Sequence, residues 1–229
     1  MTTRKLILSI LAIAFAIVSI SLGVWQLRRL ADRKKQNTFL ASRRFAPAVT
    51  LDSLPRDTGA SHFRRVRIRG TYDYANQIIF TLRGRNGSPG VNILTPMLRN
   101  GRDTVVLINR GWVYAPDGIT VDLNPWRESD NVDAEGFVET FPTQGPFPAP
   151  NPSRPMAFRR LDRAAIRQLL PYPIADYYVV LADSSSSASA PPRVEPLPLD
   201  EGPHRNYAIQ WFSFAAISII GLVIFIRRT

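Results

Sequence analysis

The sequence predicts a membrane protein with two transmembrane helices, one near each end of the chain, flanking an antiparallel β-rich α+β domain. Three observations predict it. Leu6 to Leu22 holds only aliphatic residues, Ala, Phe and three Ser. Ala208 to Ile226 is a second apolar run, with Gln210 as its one strongly polar member. Between them lie short alternating segments such as "VRIRGTY", the period-2 pattern of half-buried strands.

The seventeen residues of the first run span roughly 26 Å as a helix, and Gly23, Val24 and Trp25 extend it to the roughly 30 Å of a hydrocarbon layer. The run leads into "VWQLRR", with no small-x-small cleavage site, so the segment reads as an uncleaved signal-anchor. Only five residues precede it, too few for an Arg-rich transit peptide, which favours a bacterial plasma membrane over a mitochondrial one. Leu27, Leu30 and Ala31 keep helical spacing among charged neighbours, so the helix is expected to continue beyond the lipid to about residue 44. Trp25 and Trp211 sit at the inner ends of the two runs, as in an aromatic belt.

In the middle, Val66, Ile68, Gly70 and Tyr72 alternate with Arg65, Arg67, Arg69 and Thr71 and predict a strand with its arginines outward. "NQIIFTLR" comes next as a second strand. "VNILTPML" and "DTVVLINRGWVY" flank Asn100-Gly101, a hairpin signal in which both central residues are expected at positive φ. "DAEGFVET" and "DYYVVLAD" supply two more strands, and Asp162 is placed to cap the short helix "RAAIRQLL". "FPTQGPFPAPNPSRP" is too rich in Pro for regular structure, and "SSSSASAPPRVEPLPLDEGP" reads as a linker. The expected divisions are a transmembrane helix over 1–27 with its juxtamembrane continuation to about 44, a β-rich domain over 45–183, a Ser/Pro linker over 184–203 and a transmembrane helix over 204–229.

Charge is unevenly placed. Residues 1–70 hold 14 Lys/Arg against 3 Asp/Glu, whereas residues 71–229 hold 15 of each. The excess therefore clusters around the first helix and first strand, in stretches such as "RRLADRKK", where anionic membrane lipids are the economical partner. No basic face with interleaved aromatics crosses the domain, so nucleic acid is not an expected partner. Taken literally, the positive-inside bias would keep the domain in the cytoplasm, but a domain of this length escapes that rule. With no Cys, disulfides, thiolate metal sites, cysteine nucleophiles and covalent c-type haem attachment are excluded. No G-x-S-x-G, H-E-x-x-H or P-loop occurs, and the carboxylates of "DNVDAE" read as solvated surface, so the chain is not expected to be an enzyme.

Candidate site residues are few. There are two His. His62, in "SHFRR", reads as a surface histidine without partners. His204 stands about one turn before the second apolar run, with Tyr207, Ala208 and Trp211 at i+3, i+4 and i+7. Such a histidine is a polar residue at an interface, one that packs against the β-rich domain, or an axial ligand for haem iron walled by Tyr207 and Trp211. Arg110, in "INRGWV", is either a residue at a β-bulge making a cation–π contact or a guanidinium aimed at a carboxylate, such as a haem propionate or an acidic partner.

The order of "GVWQLRRLADRK", "FRRVRIRGTYD", "GVNILTP", "VLINRGWV" and "HRNYAIQWF" resembles the Surfeit-locus family of cytochrome c oxidase assembly proteins, in its bacterial form. The resemblance falls on Gly23, Trp25, Gln26 and Arg29; on Arg64, Val66, Gly70 and Tyr72; on Thr95, Pro96, Asn109, Arg110, Gly111 and Trp112; and on His204, Tyr207, Gln210 and Trp211. It departs at Gly202-Pro203, where many relatives carry a polar residue before the histidine, and at Arg33, where a lysine is expected. The resemblance implies an inner-membrane protein of two passes, with an extracytoplasmic domain and both termini cytoplasmic. It also implies haem a as cofactor, bound through His204 and assisted into the catalytic subunit of cytochrome c oxidase, with haem a synthase as a second candidate partner. The alternative is a membrane scaffold that stabilises an oxidase intermediate without touching haem, with Trp25, Gln26, Gln210 and Trp211 as helix–helix contacts.

Overall fold

The computed structural model describes residues 3–55, 57–148, 151–182, 189–196 and 198–227. They fall into two compact units, one made of residues 1–42 and 198–229 and the other of residues 43–197.

The first unit is a pair of helices. Helix α1 runs over Thr3–Arg44, 42 residues without a break, or about 63 Å, so the expected continuation past the apolar run is observed. Helix α4 runs over His204–Arg227. Both are long and apolar enough to cross a membrane, and their large apolar side chains, including Leu11, Ile17, Ile217 and Ile220, are exposed. The residues turned inward repeat at three- and four-residue intervals: Ser9, Ala12, Ala16, Ser19 and Gly23 on α1, and His204, Ala208, Trp211, Ala215 and Ser218 on α4. That is the seam of an antiparallel helix pair, along which Gln26 meets His204, Gly23 meets Phe212 and Ala12 meets Ser218. Small residues in it let the backbones approach; Ser218 Oγ donates to the Ala12 carbonyl at 3.0 Å.

The second unit is β-rich. Its strands are β1 (Val49–Thr50), β2 (Arg65–Tyr72), β3 (Ile78–Phe80), β4 (Gly90–Arg99), β5 (Arg102–Tyr114), β6 (Asn131–Thr140), β7 (Ala157–Phe158) and β8 (Ile174–Leu181), with short helices α2 (Thr58–Ser61) and α3 (Arg163–Leu169). The ladder β2–β6–β8–β5–β4 closes on itself where Thr71 and Tyr72 of β2 pair with Leu98 and Met97 of β4, making a small barrel. The expected antiparallel arrangement is corrected in part. β5 and β8 run parallel, as do β1 with β2 and β3 with β7. The crossover through β6, β7 and α3 returns β8 in the direction of β5, a long-range consequence that local alternation does not encode.

The barrel interior is filled by Val66, Ile68, Val106, Ile108, Val138 and Val179, the alternate residues of their strands. On the outer face of β4 and β5, Leu94, Val105 and Leu107 meet Ile166 of α3 and Leu170, the residue that caps it. Burying Ile166 fully is worth about 1.5–3 kcal/mol. The Asp162 carboxylate accepts from the backbone N–H groups of Ala164 and Ala165 at 2.9 and 3.2 Å, as its position in the sequence predicts. The β4–β5 hairpin forms around Asn100-Gly101, but only Gly101 takes a positive φ, 71°. The irregular pairing between Met97 and Arg99 absorbs the twist that a turn with two left-handed residues would supply.

The Ser-rich start of the expected linker, 184–188, lies outside the described residues. Its later part runs along β5: the Trp112 backbone N–H donates to the Pro192 carbonyl at 2.8 Å, and Arg85 pairs with Glu195 at 2.9 Å. Gly111 makes this possible. Its φ is 148°, and a Cβ there would stand 2.5 Å from the Pro192 carbonyl oxygen.

Candidate functional site: a tethered histidine at the start of α4

His204 opens α4. The segment before it is held by α1 of the same unit: the Asp200 carbonyl accepts from Arg33 Nε at 3.1 Å and Asn37 Nδ2 at 2.8 Å, and Lys34 pairs with Glu201 at 3.5 Å. The Gly202 N–H donates to the Asp200 carboxylate at 3.0 Å. Gly202 takes φ 68°, which an L side chain adopts only with strain, and a Cβ added there would stand 3.4 and 3.5 Å from Cδ2 and Nε2 of His204. Gly202-Pro203 is therefore a tight entry that turns the chain into α4.

The ring itself is fixed by α1. His204 Nδ1 lies 2.9 Å from Gln26 Oε1. A carbonyl oxygen only accepts, so a ring that keeps this contact donates from Nδ1, and Nε2 is the nitrogen turned away from Gln26. This is the arrangement found around metal-bound histidines, whose far nitrogen is held by a hydrogen-bonding partner that sets tautomer and ring angle. Farther along the pair, the Phe212 ring packs on Gly23 so closely that a Cβ at 23 would be 2.7 Å from Cε1. Ala208 is buried beside His204, and Trp211 is partly covered and meets Phe214 edge-on at 5.8 Å between centroids. Tyr207, expected on the same face, is exposed.

Thus the "GVWQ" stretch of α1 meets α4 at two points, Gln26 at His204 and Gly23 at Phe212. A SURF1 family profile matches residues 13–216. The chain belongs to the SURF1 family. It is 28% identical to a SURF1-like protein of Rickettsia felis over 96% of both chains. It is 26% identical to Surfeit locus protein 1 of Mus musculus over 91% of this chain and 72% of the mouse protein. It is also 26% identical to an uncharacterized SURF1-like protein of Mycobacterium tuberculosis, over 95% of this chain and 81% of that protein.

Arg110 of this SURF1 family chain belongs to the β-rich unit. It is the extra residue of a β-bulge, since Ile93 pairs with Gly111 and Leu94 with Asn109. The bulge aims it into one end of the barrel, where it is fully buried. Its Nε donates to Glu128 Oε1 at 3.0 Å, Nη1 to Gln77 Oε1 at 3.1 Å and Nη2 to the Trp126 carbonyl. Its guanidinium lies 5.4 and 5.0 Å from the rings of Tyr72 and Tyr74. Arg193 closes the cluster with a 2.7 Å bond to Glu128 Oε2. Burial pushes the Tyr72 hydroxyl well above its ordinary pKa, with the Glu128 charge adding to the shift. The carboxylate that Arg110 reaches is thus Glu128 of its own chain, and its donors are spent on a buried plug.

His62, expected to lack partners, has one: its Nε2 lies 2.8 Å from Glu139 Oε2, while its ring stacks on Phe63 at 3.6 Å. Asp133 and Glu135 of the "DNVDAE" stretch are not free surface charges either; they pair with Arg67 and Arg65 at 2.8 and 2.7 Å. Among the described residues no three His, Cys, Asp or Glu side chains converge as metal ligands. A single imidazole nevertheless suits a haem, whose macrocycle brings its own equatorial donors. Gln26 is the residue at the site that sequence spacing could not pair with His204, because it stands in the other terminal helix.

Proposed function

We propose that this SURF1 family chain is a biogenesis factor for cytochrome c oxidase that holds haem a through His204 and helps deliver it to the catalytic oxidase subunit. The observation that carries this reading is the 2.9 Å contact of His204 Nδ1 with Gln26 Oε1, which turns Nε2 away from the tether. Haem a is cargo: it brings iron with equatorial donors and an apolar ring. The chain contributes one imidazole on an exposed apolar helix pair, beside Tyr207 and Trp211. One protein ligand gives binding that can be surrendered to a better-ligated site, and no bond chemistry is required of the chain.

In this reading the two helices span a bacterial inner membrane, both termini are cytoplasmic and the β-rich domain is extracytoplasmic. Haem a synthase is a candidate donor of the cargo. Arg110 takes no direct part; it stabilises the domain from inside the barrel.

A scaffold without haem is the second reading, and one observation favours it: the Gln26–His204 bond also ties the two helices together. The test is to purify the oxidase catalytic subunit from cells carrying His204→Ala and to measure its haem a per polypeptide. Haem handling predicts a subunit depleted in haem a, while the variant protein still co-purifies with it. The scaffold reading predicts full haem content whenever co-purification is retained.

A further inference from the structure

Alternation along β2 puts Arg67 and Arg69 on its outer side, and the β4–β5 hairpin is bracketed by Arg99 and Arg102. Closure of the barrel through the pairing of Thr71 with Leu98 brings these two arginine pairs to one cleft of 580 Å³, which Thr71 and Asn100 also line. Two carboxylates serve the four guanidinia. Asp133 binds Arg67 at 2.8 Å and Arg69 at 3.1 Å; Asp52 binds Arg99 at 3.3 Å and Arg102 at 3.1 Å. The group thus keeps two positive charges unmatched.

The mismatch extends to individual donors. Arg99 Nε is buried and has no hydrogen-bond partner among the described residues, a state that costs free energy unless a ligand or water supplies an acceptor. Guanidinia arriving from β2, β4 and β5 point at the cleft from several directions. A tetrahedral oxyanion presents its acceptors in three dimensions and so suits donors that converge from several strands.

The geometry points to a binding site for a phosphate-bearing ligand at the β2/β4/β5 rim, formed by Arg69, Arg99 and Arg102 with Thr71 and Asn100. The site is independent of the haem reading. The cleft is larger than a phosphate alone, so it admits the group to which the phosphate is attached, either a lipid headgroup or a soluble phosphate ester.

The test is isothermal titration of the full chain in neutral detergent with inorganic pyrophosphate, dihexanoyl phosphatidic acid and glycerol 3-phosphate. It is run on the wild type, Arg69→Gln, Arg99→Gln and Arg65→Gln. Saturable binding is expected, weakened about tenfold or more by Arg69→Gln and Arg99→Gln, the loss expected for one charged hydrogen bond. Arg65→Gln, whose guanidinium is paired with Glu135 away from the cleft, is expected to leave it unchanged. Arg69 is largely exposed, so its replacement carries no folding penalty that could mimic the effect. Preference for the phosphatidic acid assigns a lipid headgroup, and preference for glycerol 3-phosphate assigns a soluble ester. Absence of saturable binding to all three, or equal weakening by Arg65→Gln and Arg69→Gln, overturns the site.

Discussion

His204 Nδ1 and Gln26 Oε1 lie 2.9 Å apart, joining the first residue of one apolar helix to the interior of the other. The two residues are far apart in sequence, and each stands in a stretch that the other's spacing says nothing about. Their contact orients the imidazole and ties the start of α4 to α1.

Replacing Gln26 separates these roles. Gln26→Leu keeps the volume and removes the acceptor, so the imidazole loses its orientation. Haem a affinity is expected to fall about 10–100-fold, the range seen when partners of metal-bound histidines are removed. Gln26→Glu retains an acceptor at the same place and is expected to recover most of the affinity, as measured by haem titration in detergent.

Gly202 offers a test that leaves the imidazole intact. Its φ of 68° makes Gly202→Ala unfavourable by about 1–2 kcal/mol, and the new methyl would stand 3.5 Å from His204 Nε2. Reduced haem a occupancy with an unchanged β-rich domain is expected. Gly202→Asn, which tolerates the left-handed region better, is expected to lose less. Protease mapping alongside haem titration checks both.

Arg110 and Glu128 form a pair with side chains 0% and 12% exposed. Removing one partner of such a buried pair costs about 3–5 kcal/mol, so Arg110→Ala is expected to lower the stability of the β-rich domain by that order. Unfolding can be followed by fluorescence, since Trp112 and Trp126 both lie in this unit. Haem a affinity per folded molecule is expected to stay unchanged.

Asp117 gives a pH signature. Hydrogen bonds from the Thr120 hydroxyl and from the backbone N–H groups of Thr120 and Ile119 lower its pKa to about 2, from an unperturbed 3.8. A carboxyl lowered on folding contributes stability that is present above pH 3.8 and is lost as pH falls toward 2. Asp117→Asn is expected to remove this part of the acid dependence, so that acidification lowers stability less. Carboxyl NMR titration and acid unfolding check it.

How much of the fold is legible in the sequence depends on how local each signal is. Arg65 to Tyr72 alternates because one face of β2 is buried, and the period of a strand is written in consecutive residues. Asp162 declares its helix because a cap and the N–H groups it satisfies are neighbours. The bulge at Arg110 is announced only by the adjacent Gly111, while Gln77, Trp126, Glu128 and Arg193 come to it from three separate segments. Gln26 could be singled out as a polar residue near the end of an apolar run, but not as the partner of His204. The parallel pairing of β5 with β8 depends on the path of a long connection and leaves no mark in either strand.

The most direct test of haem holding by His204 is the visible spectrum of the protein purified in mild detergent from a host that makes haem a, compared for wild type and His204→Ala. The predicted result is a haem a band in the wild type that is lost or shifted in the variant, with both proteins folded. Equal haem bands in the two proteins, or none in the wild type from membranes that contain haem a, would contradict it.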